Sequence, residues 1–217
     1  MKWALFDGIA VEQTRAVLAM ARRRSFSRGE VVFHEGDPGD TLHLIDRGHV
    51  AARVTTPLGD IATLRIIGPG EYFGELAVVS PAPRSATIIA LEPTETMALH
   101  RDQINRLRLE HPDVDQVLLE AVVVEVRRLS VALLDAMYSP VPTRLARQLV
   151  GLARTYPVDA KGRIVIPLPQ DDLAGLCGTT RATVNQLVGK LVDKKLLEVA
   201  RGRVTITDLH GLARKAR

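Results

Sequence analysis

The sequence predicts an α+β chain of three successive parts: an antiparallel β-roll over residues 1–110, a long helix and hinge over 111–139, and a small domain of helices and a hairpin over 140–217. Short apolar runs punctuated by glycine fill residues 26–99. Apolar side chains then recur in steps of three and four from Leu119 to Ala136. Net positive charge, finally, belongs to the last third. Residues 141–217 hold 14 Lys/Arg against 6 Asp/Glu, whereas residues 1–140 hold 15 against 19.

In the first part, Val31-Val32-Phe33 and residues 41–45, 50–54, 61–67 and 87–91 are rich in residues that suit a pleated, half-buried surface. Turn formers divide them: Gly36-Asp37-Pro38-Gly39-Asp40, Arg47-Gly48, Pro57-Leu58-Gly59-Asp60 and Gly68-Pro69-Gly70. Ahead of them, Ala16, Val17, Met20 and Ala21 have helical spacing, so the first 24 residues are expected to be helical.

Leu119, Val122, Val126, Leu129, Leu133 and Ala136 form the a/d seam of a coiled coil. Roughly two and a half heptads are too short to stand alone, so domains at both ends must support the seam. Val117, Leu118, Val123 and Val124 make the helix apolar on further faces, enough to pack on its own roll and on a second copy together. Homodimerisation is expected; packing on its own roll alone is the other reading. Ser139-Pro140-Val141-Pro142-Thr143 then breaks the helix, because proline lacks the N–H and crowds the preceding turn. A hinge is expected there, followed by a helix over 144–153 and a strand at Arg163-Ile164-Val165-Ile166.

Residues 171–177 suit a short helix, Gly178 a tight turn, and Thr180 the N-cap of a second helix over 181–194. Leu173, Leu176, Val184, Leu187, Val188, Leu191 and Leu197 would pack the two together. Arg181, Ala182, Asn185 and Gln186 then fall on the opposite side, which reaches base edges when such a helix lies in a major groove. Gln170, Thr180 and Thr183 flank that surface. Residues 198–206 form a two-stranded wing with Gly202 in its turn, aiming Arg201 and Arg203 at phosphates. This is the pattern of a winged helix-turn-helix, and its basic balance suits a polyanion. A purely structural three-helix unit is the alternative.

Composition excludes several classes. The chain is 46% hydrophobic and 25% charged, as ordinary globular domains are. Its longest apolar runs, such as 121–124, fall far short of the ~20 residues of a membrane span, and residues 1–7 lack a signal-peptide core. A cytoplasmic protein without membrane contact is expected. The single Cys177 excludes an internal disulfide, an iron–sulfur cluster and a Cys-rich zinc site. No metal and no haem are expected, since none of His34, His43, His49, His100, His111 and His210 can be assigned as an axial ligand. Glu75 with a histidine lacks a nucleophile or metal beside it, so no enzyme is expected.

Three motifs carry a resemblance. Phe33-His34-Glu35-Gly36-Asp37, Leu42-His43-Leu44-Ile45 and Gly48-His49-Val50 open the roll. Gly68-Pro69-Gly70-Glu71-Tyr72-Phe73-Gly74-Glu75-Leu76-Ala77, followed by Pro83-Arg84-Ser85-Ala86-Thr87, looks like the phosphate-binding cassette of cyclic-nucleotide domains. Gly178-Thr179-Thr180-Arg181-Ala182-Thr183-Val184-Asn185 is similar to a turn and recognition helix. In this order, over nearly the whole chain, they resemble the cyclic-AMP receptor/FNR family of bacterial transcription regulators. The resemblance implies a jelly roll that binds a cyclic nucleotide, a homodimer, an inverted-repeat operator on double-stranded DNA, and contact with RNA polymerase.

A cyclic phosphodiester carries one negative charge, which a planar guanidinium binds in fork geometry. Arg84 is the candidate, completed by the Ser85 hydroxyl and nearby backbone N–H groups. Glu75 can accept from the ribose 2′-hydroxyl, and Gly74 lets the backbone approach the ligand. A structural Glu75–Arg84 ion pair is the alternative. The resemblance adds Leu76 and, on the long helix, the positions that contact adenine in cyclic-AMP receptors. Counting back from Thr143-Arg144, these are Leu129 and Ser130. Leu129 cannot make the hydrogen bond, which leaves base selectivity open: cyclic AMP is the favoured effector, with cyclic GMP, another effector or constitutive DNA binding as alternatives. A nucleotide sensor acting through protein contacts is a further alternative. The recognition helix departs as well, with Ala182 and Gln186 where many relatives carry glutamate and a second arginine. An operator differing from the usual family consensus is expected.

Overall fold

The computed structural model describes all residues except 1–2, 7–10, 58, 111–112 and 217; Leu58, His111 and Pro112 therefore lie outside the described residues. The chain divides into two compact units, 1–52 with 67–130, and 53–66 with 131–217.

The first unit holds α1 (Val11–Met20), β1 (Arg22–Phe26), β2 (Val31–Phe33), β3 (Thr41–Arg47) and the start of β4 (Val50–Thr55). After β5 (Ile61–Ile67) come β6 (Tyr72–Phe73), α2 (Leu76–Val79), β7 (Thr87–Ala90), β8 (Thr94–His100), α3 (Arg101–Glu110) and most of α4 (Asp113–Tyr138). The strands form two four-stranded sheets, ordered β1-β8-β3-β6 and β2-β7-β4-β5. Pairs β1–β8, β3–β8, β3–β6 and β2–β7 are antiparallel. The expected roll is present, but its opening differs. Helix stops at Met20, and Arg22-Arg23-Arg24 belong to edge strand β1. Three consecutive arginines show no alternation; their ladder to β8 makes the strand, and outward charges keep its outer edge from pairing further.

The core lies where α3 and α4 cover β3 and β8. Ile104 and Leu107 join Val114, Leu118 and Ala121, spaced for one helical face, against Val17, Leu42, Leu44 and Leu99. The Trp3 indole fixes the amino-terminal segment by donating to the Ile45 carbonyl at 2.9 Å. His43 points to the opposite face of β3 from Leu42 and Leu44, stacked on Phe73 at 4.9 Å and paired with the Thr96 hydroxyl at 3.0 Å. Burial, then the charges of Arg84 and Arg24, push its pKa down to about 3. The unfolded chain therefore binds a proton that the folded roll excludes. Stability holds above the ordinary histidine range and declines as pH falls below it. Between pH 7 and 5 the expected loss is about 2 kcal/mol. Urea midpoints at both pH values check this: His43→Gln should flatten the dependence, and an unchanged slope contradicts it.

Beyond Ala121 the character of α4 changes. Val126, Leu129 and Leu133 are half or more exposed, as Leu119 already is on the side away from the roll core, with Ala136 also exposed and Val122 half-buried.

The second unit comprises the outer part of the β4–β5 hairpin, the end of α4, α5 (Val141–Leu152), β9 (Ile164–Ile166), α6 (Gln170–Cys177), α7 (Arg181–Asp193), β10 (Leu197–Ala200), β11 (Arg203–Ile206) and α8 (Leu209–Lys215). The interruption before α5 is narrower than the sequence suggests. Only Ser139 and Pro140 separate the helices, and Pro142 lies inside α5. First-turn N–H groups have no partner within a helix, so proline is tolerated there. The Arg144 guanidinium donates to the Ser139 carbonyl at 2.8 Å, and Arg147 donates to the Ser139 hydroxyl at 2.8 Å, bracing the break.

Candidate functional site

The cassette is built around one buried cation. Backbone bonds clip Arg84 to the β2–β3 loop: its N–H donates to Asp37 O, and Gly36 N–H donates to Arg84 O, both at 2.9 Å. The side chain, only 4% exposed, then turns inward. Its Nη1 donates to the Thr41 carbonyl at 2.8 Å and its Nη2 to the Thr41 hydroxyl at 2.7 Å, while Cζ stands 3.9 Å over the Phe33 ring. The nearest carboxylate oxygen, on the exposed Asp40, is 4.0 Å away. Arg84 Nε is enclosed and has no acceptor among the described residues. Burial pulls the guanidinium below its ordinary pKa, with Asp40 opposing. Glu75 acts on Arg84 only as a more distant charge, so the expected alternative of a Glu75–Arg84 ion pair does not describe this site.

Glycine is required where the cassette meets this arginine. Gly74 has φ +84, and a Cβ there would stand 2.8 Å from Arg84 Nη1 and 2.7 Å from the Thr41 carbonyl. Glu75 and Leu76 follow at the start of α2, with Leu76 exposed. Ser85 is exposed beside Arg84.

Sequence reasoning missed three members of this region. Arg101 Nε donates to Ala77 O at 2.9 Å, its guanidinium also bonds Gly39 O, and its backbone N–H donates to Asp40 O at 2.7 Å. It braces the loop whose Thr41 holds Arg84. A lone arginine at a strand–helix boundary gives no signal of this. Thr41 itself was hidden at the head of a strand. Arg128 on α4 is the third: its hydrogen bonds to Glu125, then the charges of Glu125, Glu71 and Glu75, raise its pKa against the cost of burial. It is therefore a second guanidinium near the cassette acid. Ser130, by contrast, is exposed and donates to the Val126 carbonyl of its own helix at 2.9 Å.

The second site is a surface. α6 ends in the left-handed Gly178 (φ 58), and the Thr180 hydroxyl caps α7 by accepting from Thr183 N–H at 3.2 Å. Val184 and Val188 are buried, which turns Arg181, Ala182, Asn185 and Gln186 outward in one exposed stripe. Lys190 continues that stripe one turn on, a residue the motif did not reach. β10 and β11 form the wing, with Arg201 and Arg203 exposed at its tip. Gln170 opens α6, half-buried. Cys177 is buried under this helix pair; burial pushes its thiol up to about 11, so it is neutral and unreactive.

Among the described residues no helix is long and apolar enough to cross a membrane, and no cluster of His, Cys, Asp and Glu is arranged to hold a metal ion.

Comparison with known proteins matches a family to each of the two regions. Residues 23–111 match the cyclic nucleotide-binding domain, and residues 143–215 match the Crp-like helix-turn-helix domain. The CRP-like cAMP-activated global transcriptional regulator of Mycobacterium tuberculosis is 31% identical over 215 residues, covering 98% of this chain and 96% of that one. The cyclic AMP receptor protein of Thermus thermophilus is 30% identical over 204 residues, 94% and 92% of the two chains. A solved CRP-family transcriptional regulator, also from Thermus thermophilus, superposes with a TM-score of 0.75 at 26% identity, over 89% and 96% of the chains. A cyclic-nucleotide domain followed by a Crp-like helix-turn-helix, in a chain this similar to whole regulators, makes the protein a member of the CRP/FNR family of DNA-binding transcription regulators rather than an enzyme.

Proposed function

We propose that the protein is a cytoplasmic homodimer that binds cyclic AMP in each roll and, so loaded, binds an inverted-repeat operator and acts on RNA polymerase. One observation carries the effector reading: the Arg84 guanidinium is buried with hydrogen bonds to neutral acceptors alone, its nearest carboxylate 4.0 Å away and its Nε enclosed without an acceptor among the described residues. A buried cation without a directly bonded anion is costly, and an anionic ligand relieves that cost. A cyclic phosphodiester fits, since Arg84 and Ser85 can take its oxygens while Glu75 accepts from the ribose 2′-hydroxyl. One relative named as a cAMP-activated regulator and another named as a cyclic AMP receptor protein support the choice of nucleotide.

The nucleotide would bridge the cassette and α4, alter the Leu119–Ala136 seam, and set the two recognition helices about one DNA turn apart, ~34 Å. A mobility-shift titration with and without cyclic AMP tests this. Affinity should rise with the nucleotide; an unchanged curve means a constitutive regulator or a different effector. One observation favours a different base on the same phosphate: Leu129 is apolar and the Ser130 hydroxyl is engaged with Val126, so neither offers adenine a ready partner. Calorimetry with cyclic AMP and cyclic GMP in parallel separates these readings.

On DNA, Arg181 is poised for guanine O6 and N7, and Asn185 or Gln186 for adenine. Arg181→Ala should cost about 1–3 kcal/mol and relax preference at one base pair. Selected-site sequencing checks it: equal weakening on all sequences would make Arg181 a phosphate contact instead.

A further inference from the structure

The family match for DNA binding begins at residue 143, yet the second unit contains residues 53–66 as well. These belong to the outer β4–β5 hairpin, and they dock on α6. Asp172, in the first turn of that helix, is 3% exposed. It accepts from Arg53 Nε and Nη2, each at 2.9 Å in fork geometry, and from the Thr63 hydroxyl at 3.0 Å. One turn on, Gly175 lies so close to the hairpin that a Cβ would stand 2.6 Å from the Thr63 backbone nitrogen. Glycine inside a helix carries a propensity penalty, and here the approach of the hairpin accounts for it.

We infer that the β4–β5 hairpin is a working part of the DNA-binding unit, with Arg53 and Thr63 as positioning residues that fix α6 through Asp172 and cancel its charge. The first helix of a helix-turn-helix crosses the sugar–phosphate backbone. The opening turn of α6 carries two adjacent carboxylates, Asp171 and Asp172, which repel phosphates. Arg53 neutralises the second. Arg181 stands 3.1 Å from the first, and it leaves that partner when it reaches a base. With the hairpin released, α6 would present an uncompensated Asp172 and lose the brace that sets its position. This reading concerns the DNA-binding unit alone and does not depend on which effector the roll takes.

The test uses the full-length protein and a duplex enriched from a random pool by the unaltered protein. Gly175→Ala collides with Thr63 and should undock the hairpin, its gain in helix propensity offsetting only part of the lost stability. Expected results are about tenfold weaker duplex binding and faster amide exchange over residues 53–66. Arg53→Met should weaken binding similarly, and Arg53→Lys, which keeps the charge, should recover to within about threefold of the unaltered protein. A merely structural contact would change exchange and leave duplex affinity unmoved, and that result overturns the inference. So does a lysine variant no better than methionine. Should Gly175→Ala leave exchange unchanged, Arg53→Met combined with Thr63→Val decides alone: undiminished duplex affinity overturns it.

Discussion

Arg84→Met is expected to abolish the response to cyclic nucleotide while leaving the ligand-free protein as stable as before. The two halves share one cause. Within the roll the guanidinium bonds only the Thr41 carbonyl and hydroxyl and, at 3.4 Å, the Gly74 carbonyl. Its desolvation is met by neutral acceptors and an aromatic face rather than by a bonded carboxylate, so the site tolerates the cation more than it profits from it. Methionine keeps most of the aliphatic packing and removes the buried charge, and melting should shift by no more than a few degrees. Binding behaves differently. Losing one member of a buried, hydrogen-bonded charge pair costs about 2–5 kcal/mol, so nucleotide affinity should fall by roughly 10²-fold or more. Arg84→Lys keeps the charge without the fork and should fall between the two. Calorimetry for binding and thermal melts with and without nucleotide measure both halves. If the variant binds cyclic AMP as tightly as the unaltered protein, the anion site is elsewhere. If instead the ligand-free melt collapses, Arg84 is a structural post.

What the sequence disclosed about this site, and what it hid, divides along physical lines. Glycines at turns, the change from strand to helix spacing, and the Thr180 cap are local devices, and each appeared where its residues imply. The exposed stripe Arg181, Ala182, Asn185 and Gln186 follows from helical geometry once the apolar positions are known. The misses are of another kind. β1 is a strand because β8 offers a ladder, not because Arg22-Arg23-Arg24 favour one. α8 is short, capped by Asp208 accepting from Gly211 N–H at 2.8 Å, and it forms against α5; seven residues alone give no periodicity to detect. Arg101 meets the Ala77 carbonyl 24 residues back, Arg53 meets Asp172 119 residues on, and Arg128 feels the charges of Glu71 and Glu75 from another part of the chain, so only tertiary folding brings these groups together. Motifs therefore name the candidate residues for the chemistry. The groups that hold them in position carry no signature, because any arginine of suitable reach would serve.

Placing aspartate at both Leu129 and Leu133 should leave a folded monomer that no longer holds an inverted-repeat operator. These leucines are 50% and 60% exposed in the single chain, so their replacement removes no intrachain core and the roll should melt unchanged. In a symmetric pair of helices each substitution counts twice, and at ~1.5–3 kcal/mol for each buried leucine the loss exceeds what roughly two and a half heptads can spare. Facing carboxylates across the seam oppose association further. The effect on DNA then follows from linkage rather than from any lost contact. Two recognition helices held on one rigid dimer make the second half-site encounter intramolecular, a gain of about 10²–10⁴ over a single one. The variant should retain weak half-site binding through Arg181 and the wing while losing that gain. Sedimentation gives the mass of the protein, and a mobility shift on full and half operators gives the affinities. A variant that stays dimeric would move the interface away from this seam. A monomer that binds the full operator undiminished would mean that each chain reads DNA alone, and the exposed leucines would then need another partner to cover them.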